Sequence, residues 1–448
     1  MKIQLKKRYI KFTPVQILAI GFAVTILIGA VLLTLPVSAS NGRYTSFIDS
    51  LFVSTSAVCV TGLVTVDTGT HWSYFGKTII LILIQIGGLG FMSFATLFAL
   101  ILGKRITLSD RLVMQEAMNS FKLQGLVKLA KYILVFTFSV EAIGAFLLST
   151  QFIQDFGVLK GIYYGIFHSV SAFCNAGIDL LGEFTSVTSY SNNWIVLITI
   201  ALLIISGGLG FSVWADIYNK KTMKKLTLHS KVVIMISLIL IIMGSILMFL
   251  VEYDNDKTIG NMTSSSKILN SIFAAVTPRT AGFNSIITSD MTSAGIWLTI
   301  VLMFIGGSPG STAGGIKTST LGIIIFSAIS LIRGKDETVI FRKRISKEAV
   351  MRAFVIATLG ITIVVFVTMV LSITEAGAPF EYILYEVTSA FATVGLTLGL
   401  TTKLTVVGKI IIIITMYFGR VGPLTLALAL ARQKKSSIRY PEDKILVG

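Results

Sequence analysis

The chain has 448 residues, 54% of them hydrophobic and only 13% charged. A soluble domain carries roughly 25% charged residues, so this composition excludes a disordered chain and most soluble enzymes. The formal charge is +17. On a soluble protein that would suggest nucleic acid, but in so apolar a chain it marks basic cytoplasmic loops, and no nucleic-acid partner is expected. Two cysteines and three histidines leave no material for a disulfide framework or a multi-ligand zinc site.

The N-terminus, MKIQLKKRYIKF, is basic, and Pro14 to Val37 carries no charge. That run exceeds the roughly 7–15 residues of a signal-peptide core, so it predicts a first spanning helix. Crossing needs about 20 apolar residues. Further spans are predicted at 78–102, 132–153, 194–215, 232–251, 295–332 (broken near Lys317), 353–374 and 410–431. Shorter apolar stretches near 47–63, 161–178, 268–283 and 380–396 read as re-entrant half-helices.

Of the 38 Lys and Arg, 28 fall in the N-terminal segment, the 103–131, 218–231 and 333–352 loops and the tail. Basic loops stay inside, so both termini are expected in the cytoplasm. Each unit then runs span, half-helix, span, and all four point the same way. The expected fold is an all-α polytopic membrane protein with eight spans and four half-helices. Its four parallel helix–pore-helix–helix repeats surround a pseudo-fourfold central pore. The expected repeats are 1–102, 103–217, 218–333 and 334–448.

The half-helices carry a recurring pattern. Phe52, Ser56-Ala57 and Gly62 match Phe167, Ser171-Ala172 and Gly177, and also Tyr385, Ser389-Ala390 and Gly395. The third copy, SIFAAVTPRTAGF, is one residue shorter and ends at Gly282-Phe283. The second span of each unit adds a glycine cluster: IGGLGF at 86–91, SGGLGF at 206–211, IGGSPG at 305–310 and FGRVGP at 418–423. In the first two, close helix packing is the simpler reading.

Irregular backbone at membrane depth survives only where it is buried or lines water. Four loops on one axis supply rings of carbonyls that replace a cation's hydration shell. The half-helix C-termini favour positive charge, and glycine permits the inward turn. The predicted ion-binding lines are Val60-Thr61-Gly62-Leu63, Asn175-Ala176-Gly177-Ile178, Thr280-Ala281-Gly282-Phe283 and Thr393-Val394-Gly395-Leu396. None contains an acid, which argues for a large, easily dehydrated cation such as K⁺.

These VTGL and TVGL lines resemble degenerate copies of the potassium-channel TVGYG filter. Over nearly its whole length the chain resembles the KtrB/TrkH/HKT superfamily of K⁺ transporters, and its direct entry into unit one is more similar to KtrB. The resemblance implies Na⁺-dependent K⁺ uptake by a homodimer in the cell membrane. It also implies a cytosolic RCK/KTN-type nucleotide-binding ring as regulator. No organic cofactor is expected in this chain.

Unit three's second span holds IGGSPGSTAGGIKTST. A helix does not continue through Gly306, Gly307, Pro309, Gly310, Gly314 and Gly315. A phosphate-binding loop fails because Lys317 stands one residue too far from Gly315. The segment reads instead as an intramembrane gate: Gly306, Gly307, Gly310, Ser311, Thr312, Gly314, Gly315 and Lys317, with Arg420 from the fourth cluster. Buried charges in membranes are functional candidates. Lys317 equally reads as a snorkelling side chain; Arg420, flanked by long apolar runs, does not.

Cys59 and Cys174 read as small packing residues, and His168 as a satisfied polar contact. Glu141, Glu381 and Glu386 lie near membrane depth, Glu386 as a possible cation attractor at the outer mouth or an interfacial acid. No catalytic constellation occurs, so an enzyme is not expected. Alternatives are a secondary transporter of a small solute, for which the repeats have the wrong relative orientation, and a non-conducting membrane sensor.

Overall fold

The computed structural model describes residues 13–90, 112–115 and 125–422. The basic N-terminal segment, residues 91–102 of the second predicted span, most of the 103–131 loop, the end of the last predicted span and the basic tail lie outside the described residues. Apart from a two-stranded hairpin, Val339–Ile340 paired antiparallel with Lys343–Arg344, the regular structure is helical.

Twelve of the described helices form four sets of three. Leading helices are Pro14–Thr34, Leu126–Phe156, Leu228–Glu252 and Lys347–Thr374. Half-helices are Phe47–Cys59, Val158–Phe173, Ser264–Val276 and Phe380–Ala392. Returning helices are Tyr74–Leu89, Trp194–Gly208, Ser293–Phe304 and Val406–Val421. The four leading helices are each long and apolar enough to cross a membrane. Each turns a stripe of large apolar residues outward, as Val24, Leu27, Ile28 and Val31 do in the first and Ile361, Val365, Phe366 and Met369 in the fourth. Spacing of three and four residues puts these on one face, and lipid suits that face as well as a protein core would. The chain is a multi-pass membrane protein.

Opposite that stripe, each leading helix sets a glycine against its own half-helix. Gly29 meets the Ser54 hydroxyl, Gly144 that of Ser169, Gly244 the Ala275 methyl and Gly360 the Phe391 ring. Ser54 and Ser169 then donate to the leading-helix carbonyls of Ile26 and Glu141, both at 2.7 Å. The top of each leading helix also holds the start of its returning helix. Glu375 accepts from the Thr405 amide and hydroxyl at 3.1 and 2.6 Å, and Glu252 from those of Thr292 at 2.9 and 2.7 Å. Gln151 accepts from Asn193 at 3.0 Å, and Ser73 donates to the Val37 carbonyl at 2.6 Å. Thr405, Thr292, Asn193 and Ser73 are all N-caps, so one contact fixes both a helix start and a unit's shape.

Polar contacts join the sets in a closed order: Thr78 with Tyr163 (3.3 Å), Asn270 to the Ser191 carbonyl (2.9 Å), Thr288 to the Thr397 carbonyl (2.7 Å) and Lys409 to Asp49 (2.7 Å).

The returning helices end earlier than the apolar runs that predict them. The first stops at Leu89 with Gly90 at φ +80°, and the fourth at Val421 with Gly422 at +93°. The second bends by 91° between Gly208 and Phe211, with Gly210 at +95°, where the sequence reading has an unbroken span. The third breaks as expected and resumes as Thr318–Ile332. Apolar composition alone does not register the ends at Gly90 and Gly210, because Leu and Phe flank each of those glycines.

Candidate ion-conduction site

All four half-helices end in the buried centre, and each is followed by the same backbone figure. Val60, Asn175, Thr280 and Thr393 have φ of +51°, +59°, +73° and +53°. The next residue returns to ordinary φ, and Gly62, Gly177, Gly282 and Gly395 are again positive, at +98°, +64°, +79° and +94°. The sequence reading reserves positive φ for the glycines. The four non-glycine residues were missed, three of them β-branched, for which this conformation is an outlier. Such strain costs on the order of 1–3 kcal/mol per residue and persists only where surroundings over-determine it.

The surroundings are visible. Thr61, Ala176 and Val394 donate their amides to the carbonyls of Ser56, Ser171 and Ser389 at 2.8, 2.8 and 2.9 Å. The serine hydroxyls complete the loop: Ser56 and Ser389 accept from the Gly62 and Gly395 amides at 3.0 Å, and Ser171 donates to the Ile178 carbonyl at 2.6 Å. In the shorter third copy Thr277 takes this place, donating to the Phe283 carbonyl at 2.7 Å. The recurring serine in the sequence pattern is therefore a scaffold for the loop. Asn175 uses its amide oxygen to accept from Thr280 at 3.1 Å and its nitrogen to donate to the Ala172 and Ile204 carbonyls.

The four loops close a ring. A Cβ added to Gly62 would lie 2.6 Å from the Ala176 carbonyl oxygen. Added to Gly177 it would strike the carbonyl of Ala281, to Gly282 that of Val394, and to Gly395 that of Thr61. Each glycine thus faces the carbonyl oxygen of the next unit, in order, until the fourth meets the first. Leu63, Ile178, Phe283 and Leu396 follow as buried apolar residues. Thr61 and Thr393 carry buried hydroxyls with no hydrogen-bond partner among the described residues.

Directly against this ring lies the 305–317 segment. Gly314 abuts the Thr393 side chain, Gly315 abuts Ala392, and Thr312 donates to the Phe173 carbonyl at 3.2 Å. Its own hydroxyls hold its shape: Ser311 donates to the Ser308 carbonyl at 2.7 Å, and Ser308 pairs with Thr318 at 2.9 Å. Gly306 packs on Gly314, and Gly307 on Ala313. Lys317 folds back onto its own segment. Its Nζ donates to the Ala313 and Gly314 carbonyls at 2.6 and 3.3 Å.

Arg420 sits at the C-terminal end of the fourth returning helix, where a cation is favoured. One nitrogen donates to the Thr312 carbonyl; the other donates to that of Gly87 and lies 3.5 Å from that of Gly88. The first glycines of three clusters have a packing role, because Gly87, Gly207 and Gly419 press against the half-helix carbonyls of Val58, Phe173 and Phe391. The clusters serve both close packing and helix termination.

Two further buried cations escaped the sequence reading: Lys77, which donates to the Gly69 carbonyl at 2.6 Å, and Arg279. Arg279 is 5% exposed and donates to Ser237 at 2.9 Å; its signal was present as a charged residue just before Gly282. His168 is a satisfied core residue, with Nδ1 2.7 Å from the Tyr164 carbonyl and Nε2 accepting from the Leu180 amide at 3.3 Å. Cys59 and Cys174 are buried and free. Glu386 does not project from the outer mouth. It is fully buried and accepts from Thr397 and Thr401 at 2.6 and 2.5 Å, tying the chain after Leu396 to its half-helix.

Comparison with known proteins agrees with this architecture. Residues 13–439 match the TrkH cation transport protein family. The chain is 46% identical to the potassium/sodium uptake protein NtpJ of Enterococcus hirae, covering 100% of this chain and 99% of that one. It is 44% identical to Ktr system potassium uptake protein B of Bacillus subtilis, over 98% of both. The crystal structure of the potassium transporter TrkH from Vibrio parahaemolyticus superposes with a TM-score of 0.74 over 95% of this chain and 86% of that one, at 17% identity, which establishes a shared fold. The chain belongs to the TrkH family of cation transport proteins, as transporter and not enzyme.

Proposed function

We propose that this chain takes up K⁺ across the cytoplasmic membrane through the ring at Thr61-Gly62, Ala176-Gly177, Ala281-Gly282 and Val394-Gly395. The closed order of glycine and carbonyl through four units carries this reading. Alternating the sign of φ turns successive peptide planes so that carbonyls can face one side. A ring of such oxygens replaces water around a monovalent cation. The converging half-helix C-termini add partial negative charge, and no carboxylate in the sixteen ion-binding residues would over-stabilise a small or divalent ion. The partnerless hydroxyls of Thr61 and Thr393 are further candidate oxygens. The four repeats are taken as 1–102, 103–217, 218–333 and 334–448, with both termini cytoplasmic.

In this reading the 305–317 segment is the gate. It occupies the space beneath the ring, and Arg420 and Lys317 tie its carbonyls down. Their charges also raise a barrier to a cation leaving inward. The names of the similar potassium/sodium uptake protein NtpJ and Ktr potassium uptake protein B support K⁺ as the ion; in this reading uptake also depends on Na⁺. The word system in the Ktr name fits a partner subunit, here taken to be a cytosolic nucleotide-binding ring acting on a homodimer of the chain. The test is K⁺ uptake by a K⁺-uptake-deficient bacterium expressing this chain with a matching regulatory subunit, with and without Na⁺. Rescue at micromolar to millimolar K⁺ is expected. Membrane-inserted protein that never restores uptake would refute the reading, and rescue indifferent to Na⁺ would remove the Na⁺ dependence alone.

A further inference from the structure

The second returning helix turns through 91° and continues as the short helix Phe211–Lys220. If the first part runs along the membrane normal, the second lies in the membrane plane. Three backbone hydrogen bonds join this bend to the broken segment of unit three. Ser308 donates to the Gly208 carbonyl at 2.9 Å, Thr312 to that of Gly207 at 3.3 Å, and Phe211 to that of Gly310 at 2.9 Å. Trp214 holds the bend by donating from Nε1 to the Ser206 carbonyl at 2.9 Å.

The far end of the in-plane helix is basic. Lys220, Lys221, Lys224 and Lys225 are exposed, and none belongs to an ion pair among the described residues. The nearby acid, Asp216, is committed to the Thr227 amide and Ser230 hydroxyl at 2.8 and 2.7 Å. Tyr218 and Met223 stand 69% and 59% exposed beside the lysines. With Phe211 and Val213 buried in the protein, the segment presents its lysine cluster with Tyr218 and Met223 outward, a basic surface of the kind that attracts anionic lipid headgroups.

We propose that Phe211–Lys220 and its lysine turn form a strap anchored by anionic lipid headgroups. Through Phe211 and Gly310 the strap sets the position of the 305–317 segment. This rests on the reading of that segment as a gate, but the headgroup site is testable by itself. The protein is reconstituted in phosphatidylcholine vesicles with increasing phosphatidylglycerol. Retained phosphatidylglycerol is measured by native mass spectrometry and K⁺ flux by rubidium uptake. Each lysine near an anionic leaflet contributes roughly fivefold, so the K220Q/K221Q/K224Q/K225Q variant should lose on the order of 10³-fold in phosphatidylglycerol retention. Its flux should no longer respond to that lipid, whereas the wild type responds.

Phe211 is the first residue of its helix, where proline is tolerated. F211P therefore removes the amide that bonds Gly310, and F211A removes only the side chain. F211P should retain lipid but lose the flux response; F211A should keep both. Equal retention by the lysine variant and wild type overturns the proposal. So does a flux response unaltered in the lysine variant, or a lysine effect seen only with a cytosolic protein partner added. If wild type retains lipid through the lysines but carries no K⁺ in any vesicle, the conduction reading fails and the headgroup site stands.

Discussion

Replacing Arg420 by alanine tests the gate most directly. Its guanidinium bridges three elements: its own returning helix, the Thr312 carbonyl of the broken segment and the Gly87 carbonyl of unit one. A hydrogen bond to a charged group contributes about 1.5–3 kcal/mol, and the one to Thr312 is the bond that favours the tied position of the segment, while the one to Gly87 anchors the guanidinium. At 1.4 kcal/mol per factor of ten, that bias is about 10–10² in the closed-to-open ratio. These are upper figures, because the freed carbonyls can pair with water. Rubidium flux into proteoliposomes containing Arg420→Ala should therefore rise until the open state saturates. Arg420→Lys should fall between, since an ammonium lacks the planar fork that spans two carbonyls. Gel filtration and a thermal melt establish that each variant is folded. Folded Arg420→Ala with flux equal to or below wild type would refute the closing role.

Gly282→Ser places a side chain at φ +79° against the Val394 carbonyl, so the apparent K⁺ affinity should fall and Na⁺ discrimination weaken; uptake kinetics identical to wild type would reject the filter assignment. Ser389→Ala leaves the Gly395 amide without its acceptor, which should cost about 1–3 kcal/mol. It should lower both thermal stability and K⁺ affinity, and a loss of stability alone would make the serine merely structural. Asp49 and Lys409, 18% and 16% exposed, join the first and fourth units. A double-mutant cycle with Asp49→Asn and Lys409→Gln should give a coupling of about 1 kcal/mol or somewhat more, between exposed and buried pairs; zero coupling would show that the pair does not hold the ring closed.

Much of the candidate site was legible in the sequence as a pattern, and particular residues show why. Gly62, Gly177, Gly282 and Gly395 stand out because an apolar half-helix followed by glycine recurs four times, and because membrane-depth backbone has few permitted uses. The serines at 56, 171 and 389 recur too, but sequence does not reveal that their hydroxyls serve the loop that follows. Val60, Thr280 and Thr393 give no local sign of positive φ, since isolated β-branched residues avoid it. Only the packed loops force it. Arg279 was hidden by its position in a shortened copy, and the bend at Gly210 by the Leu and Phe on either side.

Composition and apolar run lengths determined by themselves that this chain is a helical multi-pass membrane protein, and the spacing of one repeated pattern singled out four half-helices, each followed by a glycine. Those properties are one-dimensional: lipid tests each segment for length and charge, and a repeated module must repeat its residues. Which carbonyl each glycine faces was decided by the tertiary structure. So was the reach of Arg420 to Gly87 across 333 residues and the pairing of the unit-two bend with the broken segment of unit three. Those contacts join elements far apart in the chain, and they exist only once four units close on one axis.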